Sequence, residues 1–150
     1  KPTAAILTDV LGFREGGVEG PVTRFVADGT TAGGVIEIRE AKGFLAGNMG
    51  RGSVHHVAFR AATDEAQAEM RRKLVEGHRL HVTEQIDRNY FRSIYFREPG
   101  GVIFEIATDE PGFAIDETVA TLGQALKLPA FLESQRQEIE ASLQPLEQAA

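Results

Sequence analysis

The chain has no cysteine and no tryptophan, only two methionines, and aromatic residues at 7% of its 150 positions. Without cysteine there is no disulfide, no thiolate metal site and no cysteine nucleophile, so any metal has to be held by His, Asp or Glu. Basic charge is also scarce: 16 Lys and Arg stand against 22 Asp and Glu, a net charge of -6. A chain without a basic field does not hold phosphate backbones, which argues against nucleic acid as a partner. No apolar run approaches the roughly 20 residues needed to span a bilayer, and no charged start followed by a short apolar region marks a signal peptide. A soluble, cytoplasmic protein with no membrane partner is expected. Its 42% hydrophobic content suffices for the core of one domain or of two small repeated units.

What the chain does have is an internal repeat, the feature that sets the architecture when present. Residues 3–11, TAAILTDVL, place apolar side chains at helical spacing and stop at Gly12, as a helix C-terminus does. Two strand-like runs follow, VTRFVADG at 22–29 and GGVIEIREA at 33–41, with the turn-rich TTAGG between them. A glycine-rich stretch without periodicity, KGFLAGNMGRGS at 42–53, marks a junction. Beyond it come the strand SVHHVAF and a helix over TDEAQAEMRRKLVEGH that ends near Gly77. In that helix Asp64 and Gln67 sit at capping-box spacing, and Ala66, Met70 and Leu74 form one stripe. RLHVTEQIDRN leads into the alternating aromatic and polar strand of YFRSIYFREP, and PGGVIFEIATDEPGF forms a tight turn and a last strand. This order is β-α-β-β-β, and the first half matches it with its opening strand missing. The expected fold is α+β, built of repeated βαβββ units: a partial unit at 1–46, a complete one at 47–113 and a helical arm at 114–150. In the arm, LPAFLESQRQEIEASL offers Phe131, Leu132, Ile139 and Leu143 as packing positions. Because a helix begins almost at Lys1, the chain is expected to start part-way through a unit of a longer protein.

The two neighbouring histidines of GSVHHVAFR raise the chemical question. Alternate side chains of a strand share a face, which groups Val54, His56 and Ala58 on one side and His55, Val57 and Phe59 on the other. In the final strand Ile103, Glu105 and Ala107 share a face, and Glu105 is flanked by Phe104 and Ile106. A lone buried carboxylate is costly unless a metal or a fixed cation neutralises it, and a His with a Glu from a second strand is a nitrogen and oxygen donor set. Two readings are open at this level: His56 and Glu105 as metal ligands, or a hydrogen-bonded strand histidine and a solvent-facing glutamate. His78 and His81, in the connection from helix to strand, read as surface or rim residues and not as ligands.

The repeated unit, the VHHVAF strand and the PGGVIFEI run resemble the vicinal oxygen chelate superfamily, which includes glyoxalases, methylmalonyl-CoA epimerases, extradiol ring-cleaving dioxygenases and bleomycin-resistance proteins. The resemblance covers almost the whole chain. It implies a metal-ligating His on the first strand of a unit and a ligating Glu on the last, here His56 and Glu105, with His55 on the other face or leaning into the site. A narrower likeness lies in EQIDRNYFRSIYFREPGGVIFEIATDEPGFAIDE and the tail LGQALKLPAFLESQRQEIEASL, which are similar to the ring-cleaving dioxygenases that act on hydroquinones and not on catechols. In that group an Arg, a Tyr and the His before the ligand line the pocket, and the matching positions are Arg88, Tyr95 and His55. The resemblance implies an extradiol-like dioxygenase using Fe(II), or Mn(II) in its place, with O2 as co-substrate and a small dihydroxylated aromatic ring as substrate. Two other functions stay open on the same frame: a glyoxalase-like lyase or epimerase that needs no oxygen, and a metal-free small-molecule-binding module.

One departure from the resemblance concerns the third metal ligand, a His expected on the opening strand of a partner unit, which the first unit lacks. Glu37 does not replace it. Aligning the two Gly-Gly-Val-Ile runs sets Phe104, not Glu105, opposite Glu37, and a one-residue offset reverses the facing. Glu37 is therefore expected to be exposed or structural. The third ligand is expected from an absent N-terminal half paired with this one, and exposed strand edges make a homo-oligomer the other expected arrangement.

Overall fold

Ile6, Leu7 and Val10 recur at helical spacing, and in the computed structural model they form the buried side of α1 (Pro2–Asp9) and its C-terminal cap. The structure describes residues 1–30, 32–40, 43 and 49–144, so the expected junction at 42–53 and the end of the arm lie partly outside the described residues. Strands β1 (Arg14–Glu19), β2 (Val22–Val26) and β3 (Val35–Arg39) make an antiparallel sheet in the order β1-β2-β3. The strand-like runs read from the sequence do not include β1. Its REGGVE is wholly exposed and carries no apolar alternation, so pairing with β2 is what defines it, across a register shift between Glu15 and Gly17.

The second unit is complete: β4 (His56–Ala61), α2 (Asp64–Arg72) running into a π turn over Lys73–Gly77, β5 (Ile86–Asp87), β6 (Phe91–Arg97) and β7 (Ile103–Pro111). Its sheet runs β4-β7-β6-β5, with β4 parallel to β7 and β5 antiparallel to β6. The fold is thus α+β, with two βαβββ-type units of which the first lacks its opening strand. By contacts the chain divides into Lys1–Glu110, which holds both sheets, and Pro111–Ala150. Among the described residues no helix is long and apolar enough to cross a membrane.

Alternation along the strands divides the second sheet into two faces. One face carries Phe59, Ala61, Ile94, Phe96, Phe104 and Ile106, and these join Ile6, Leu7, Val10, Phe13, Phe25 and Leu74 in a single core. Aromatic edges interlock there, with Phe13 against Phe59, Phe59 against Phe104 and Phe96 against Phe104 at centroid distances of 6.1, 4.9 and 5.7 Å. The first unit's helix therefore packs on the second unit's sheet. The other face carries His56, Ser93, Tyr95 and Glu105.

Helix α2 is capped by Thr63, whose side chain accepts from the Ala66 N–H, and Asp64 falls inside the first turn. The capping position lies one residue earlier than the Asp64–Gln67 spacing implies, because Gln67 is needed elsewhere. It is fully buried, its Nε2 donates to the carbonyls of Arg92 and Ile106, and its Oε1 accepts from Gln85. Those two strand carbonyls need donors inside the core, so a polar side chain lies beside the apolar stripe of Ala66, Met70 and Leu74.

The turn between β6 and β7 is organised by Glu98, only 3% exposed. Its carboxylate accepts from the N–H groups of Gly100 and Val102, both at 2.8 Å, and from Thr3 Oγ1 at 2.5 Å, which ties α1 to the turn. A side chain at Gly100 would meet Glu98 Oε1 at 2.7 Å and displace the carboxylate from its place in the turn, and Gly101 adopts φ +96, which favours glycine. Toward the C-terminal end of β7, Arg60 of the neighbouring β4 grips Asp109, and its hydrogen bond holds the Asp109 carboxyl below the usual carboxylate range. The lowered value means that this pair's small contribution is present at neutral pH and is lost as pH falls through it.

In Pro111–Ala150, turns of 3-10 helix at Phe113–Ile115, Val119–Thr121 and Ala130–Gln135 precede the α-helix α3 (Arg136–Ser142). Of the four expected packing positions, Leu132 and Ile139 are half-buried, but Phe131 and Leu143 are exposed at 77% and 53%. So short a unit, with no sheet among its described residues, has too little interior to cover them.

Replacing Glu98 by Ala removes the shared acceptor of two part-buried backbone donors and one hydroxyl. The expected outcome is a loss of about 1–3 kcal/mol, read as a lower urea midpoint at unchanged slope.

Candidate active site

Strand β4 lies beside β7 in parallel register, His56 opposite Ile103 and Ala58 opposite Glu105. Both pairs use the face turned away from the core, which brings His56 Nε2 to 2.8 Å from Glu105 Oε2. Glu105 is 3% exposed and His56 half-buried. The second carboxylate oxygen, Oε1, accepts from Ser93 Oγ at 2.5 Å and from Tyr95 Oη at 2.8 Å, both from β6. Three neighbouring strands thus converge on one carboxylate, and its burial is balanced by three hydrogen-bonding partners.

Tyr95 is in turn held by Arg88, which enters from the end of β5. Arg88 Nε lies 3.3 Å from Tyr95 Oη, and its guanidinium sits 5.3 Å from the centre of the ring. His55 precedes β4, so strand alternation does not send it to the opposite face. Its Nδ1 lies 2.8 Å from His56 Nδ1, with the two rings at right angles. Two neutral imidazoles satisfy these contacts when His56 Nε2–H donates to Glu105 and His55 Nδ1–H donates to His56 Nδ1. Nε2 is then the basic atom of His55.

The structure therefore gathers His55, His56, Arg88, Tyr95 and Glu105 into one contiguous network. Ser93 was not singled out by the sequence. It is fully buried, and the signal was available: a serine two residues before Tyr95, on the same strand face, within an otherwise bulky run. Glu37 is exposed and paired with Arg24 Nη2 at 2.7 Å, remote from the network in partner if not in chemistry. His78 is half-buried beside Asp9 at 3.5 Å. His81 is exposed but lines an open cleft of about 300 Å³ together with Tyr95, Phe96, Arg97 and Ile103.

As a metal centre the donor set fits in part. His56 and Glu105 present one nitrogen and one carboxylate oxygen toward each other, and this pairing of types suits a divalent first-row metal. Among the described residues no third His, Asp or Glu completes a ligand group. A three-donor centre built on this pair would need a further ligand from outside the described residues.

No family model matches the chain. A solved glyoxylase/bleomycin resistance protein/dioxygenase domain from Frankia sp. EAN1pec shares the fold at TM-score 0.58 and 15% identity, over 74% of this chain and 84% of that one. A Bacillus subtilis protein named a dioxygenase superposes at TM-score 0.84 and 43% identity, covering 97% of this chain and 46% of that chain. With its sheet order and this likeness, the chain belongs to the vicinal oxygen chelate superfamily. Its relatives there are proteins named as ring-cleaving dioxygenases. MhqO of Bacillus subtilis (strain 168) is 45% identical over 145 residues, 97% of this chain and 46% of its own length. A chlorohydroquinone/hydroquinone 1,2-dioxygenase of Sphingobium indicum is 43% identical over 94 residues, 61% of this chain and 28% of that protein. The chain spans about half the length of the Bacillus relatives it matches.

If Ser93 serves to hold Glu105, Ser93→Ala leaves Oε1 with Tyr95 alone. A destabilisation of about 1 kcal/mol is expected, together with a shifted Glu105 carboxyl resonance by NMR and no loss of fold.

Proposed function

We propose that this chain is the metal-binding part of a non-haem, Fe(II)-dependent, extradiol-like dioxygenase that opens a hydroquinone-type ring with O2, Mn(II) being the other metal suited to the donors. The observation that carries this reading is the convergence of His56, Ser93 and Tyr95 on the buried carboxylate of Glu105, with Arg88 behind Tyr95. Sequence relatives named for ring cleavage, one of them for hydroquinone, support it. His56 and Glu105 hold the metal, and the third donor comes from a partner unit, in an N-terminal half or a second copy. In this scheme residues 1–46 and 47–113 are related units, 114–150 is an appended arm, and the enzyme works in the cytoplasm.

When bound, Fe(II) supplies Lewis-acid activation of a ring hydroxyl and an electron path from ring to dioxygen. The chain's own side chains handle charge and protons. Tyr95 donates its phenol O–H to the ring oxygen as negative charge develops there, and Arg88, in contact with that phenol, stabilises the same charge. His55, hydrogen-bonded to His56 through Nδ1, presents its Nε2 side to the substrate and orients the ring hydroxyl. Glu105, held on Oε1 by Ser93, keeps a fixed orientation toward His56, so that the two donors are set before any ligand arrives. A carbon–carbon bond beside the hydroxyl breaks, and both atoms of O2 enter the ring-opened product.

The test is oxygen uptake by the intact protein, loaded anaerobically with Fe(II), on adding hydroquinone and in parallel catechol. Uptake with hydroquinone is expected. Silence with both, despite bound metal, would replace the reading by an oxygen-independent lyase or epimerase. Tyr95→Phe is expected to lower kcat about 10²-fold or more with metal content unchanged, whereas Glu105→Gln is expected to lower the metal content itself.

A further inference from the structure

Beside the network, the cleft lined by His81, Tyr95, Phe96, Arg97 and Ile103 has no role in the chemistry above. Its position follows from register. Val82 bridges to Phe96, both side chains being core, and Thr83 and Tyr95 exchange hydrogen bonds along the same edge. The antiparallel pairing therefore sets His81 opposite Arg97, on the face that carries Tyr95. Ile103, on the far wall, is the partner of His56 across β4 and β7. The cleft adjoins the carboxylate network from the β6 side.

Its charge is one-sided. No Asp or Glu lines it. Arg97 Nη1 donates to the carbonyl of Gly101, a neutral partner, and the Arg88 guanidinium group lies against the Tyr95 phenol and ring. Among the described residues neither arginine has a carboxylate partner, and the His81 ring makes no hydrogen bond to them. Arginines elsewhere behave differently: Arg24 holds Glu37, Arg60 holds Asp109 and Arg92 holds Asp64. In a chain of net charge -6, uncompensated cations gathered around one tyrosine form a local anion site, and the Tyr95 and Ile103 side chains give it an apolar wall for a ring.

The geometry points to a subsite for an acidic substituent. We propose that the cleft takes a carboxylate carried by the aromatic ring, with Arg97 as the charge-assisted donor and His81 as the second hydrogen-bond donor, so that ring diols bearing an acid group are the preferred ligands. This rests on the ring-cleavage reading and names the substrate class that reading leaves open. Arg97 and His81 touch the ligand without touching the reacting oxygen, and act on binding.

The test is titration of the intact, metal-free protein with 2,5-dihydroxybenzoate and with hydroquinone, followed by NMR of the histidine and tyrosine rings. The acid is expected to bind about tenfold more tightly, to shift His81, and to lose that preference in Arg97→Gln while hydroquinone affinity stays the same. His81→Ala provides a second variant, expected to weaken the acid alone. Equal affinity for the two rings, with Tyr95 shifted by both, would remove the acid subsite and keep the ring-binding site. Failure of either ring to disturb Tyr95 would overturn both.

Discussion

The structure is arranged around one buried carboxylate. Glu105 sits in a strand whose neighbours Phe104 and Ile106 belong to the core, yet its own side chain turns to the opposite face and is almost fully covered. A charge in that setting is tolerated only with donors on both oxygens, and two neighbouring strands supply them: His56 from β4, Ser93 and Tyr95 from β6. Removing water from the carboxylate strengthens each of those contacts, and the arrangement is correspondingly specific about the register of every strand involved.

That register has its own supports. Parallel pairing places β4 at the edge of the sheet, beside the last strand and not beside the strand next in sequence, with α2 in the connection. Gln67 holds α2 to β6 and β7 through two strand carbonyls, and Glu98 closes the turn between those two strands while binding α1 through Thr3. The polar groups inside this fold fall into two kinds. Gln67 and Glu98 satisfy backbone groups and serve architecture, whereas Glu105 satisfies only side chains, and those side chains lead outward to Arg88 and the cleft. The distinction separates a site from a scaffold without reference to any relative.

Much of this was legible from residue order. The β-α-β-β-β order, the missing opening strand, the common face of Ser93, Tyr95 and Arg97 and the exposure of Glu37 follow from period and from alignment of the two Gly-Gly-Val-Ile runs. Less legible was β1, because REGGVE has no apolar alternation and becomes a strand only through its partner. The N-cap fell at Thr63 because burial of Gln67 removed it from the capping pair that spacing favoured. Phe131 and Leu143 looked like packing positions on helical spacing, but packing requires a surface to pack against, which periodicity does not supply.

Sequence by itself determined the elements other than β1, their order and the face on which each strand side chain lies, since these depend on backbone geometry and on neighbours a few residues away. It also limited any metal donors to nitrogen and oxygen. Only the tertiary structure decided that His55, outside the strand, leans onto His56, that Ser93 and Tyr95 share one oxygen of Glu105, and that His81 stands opposite Arg97 at the edge of the same face. Those contacts join residues far apart in the chain, and they arise when the pairing of β4 with β7, and of the segment around Val82 with β6, brings separate side chains to hydrogen-bonding distance.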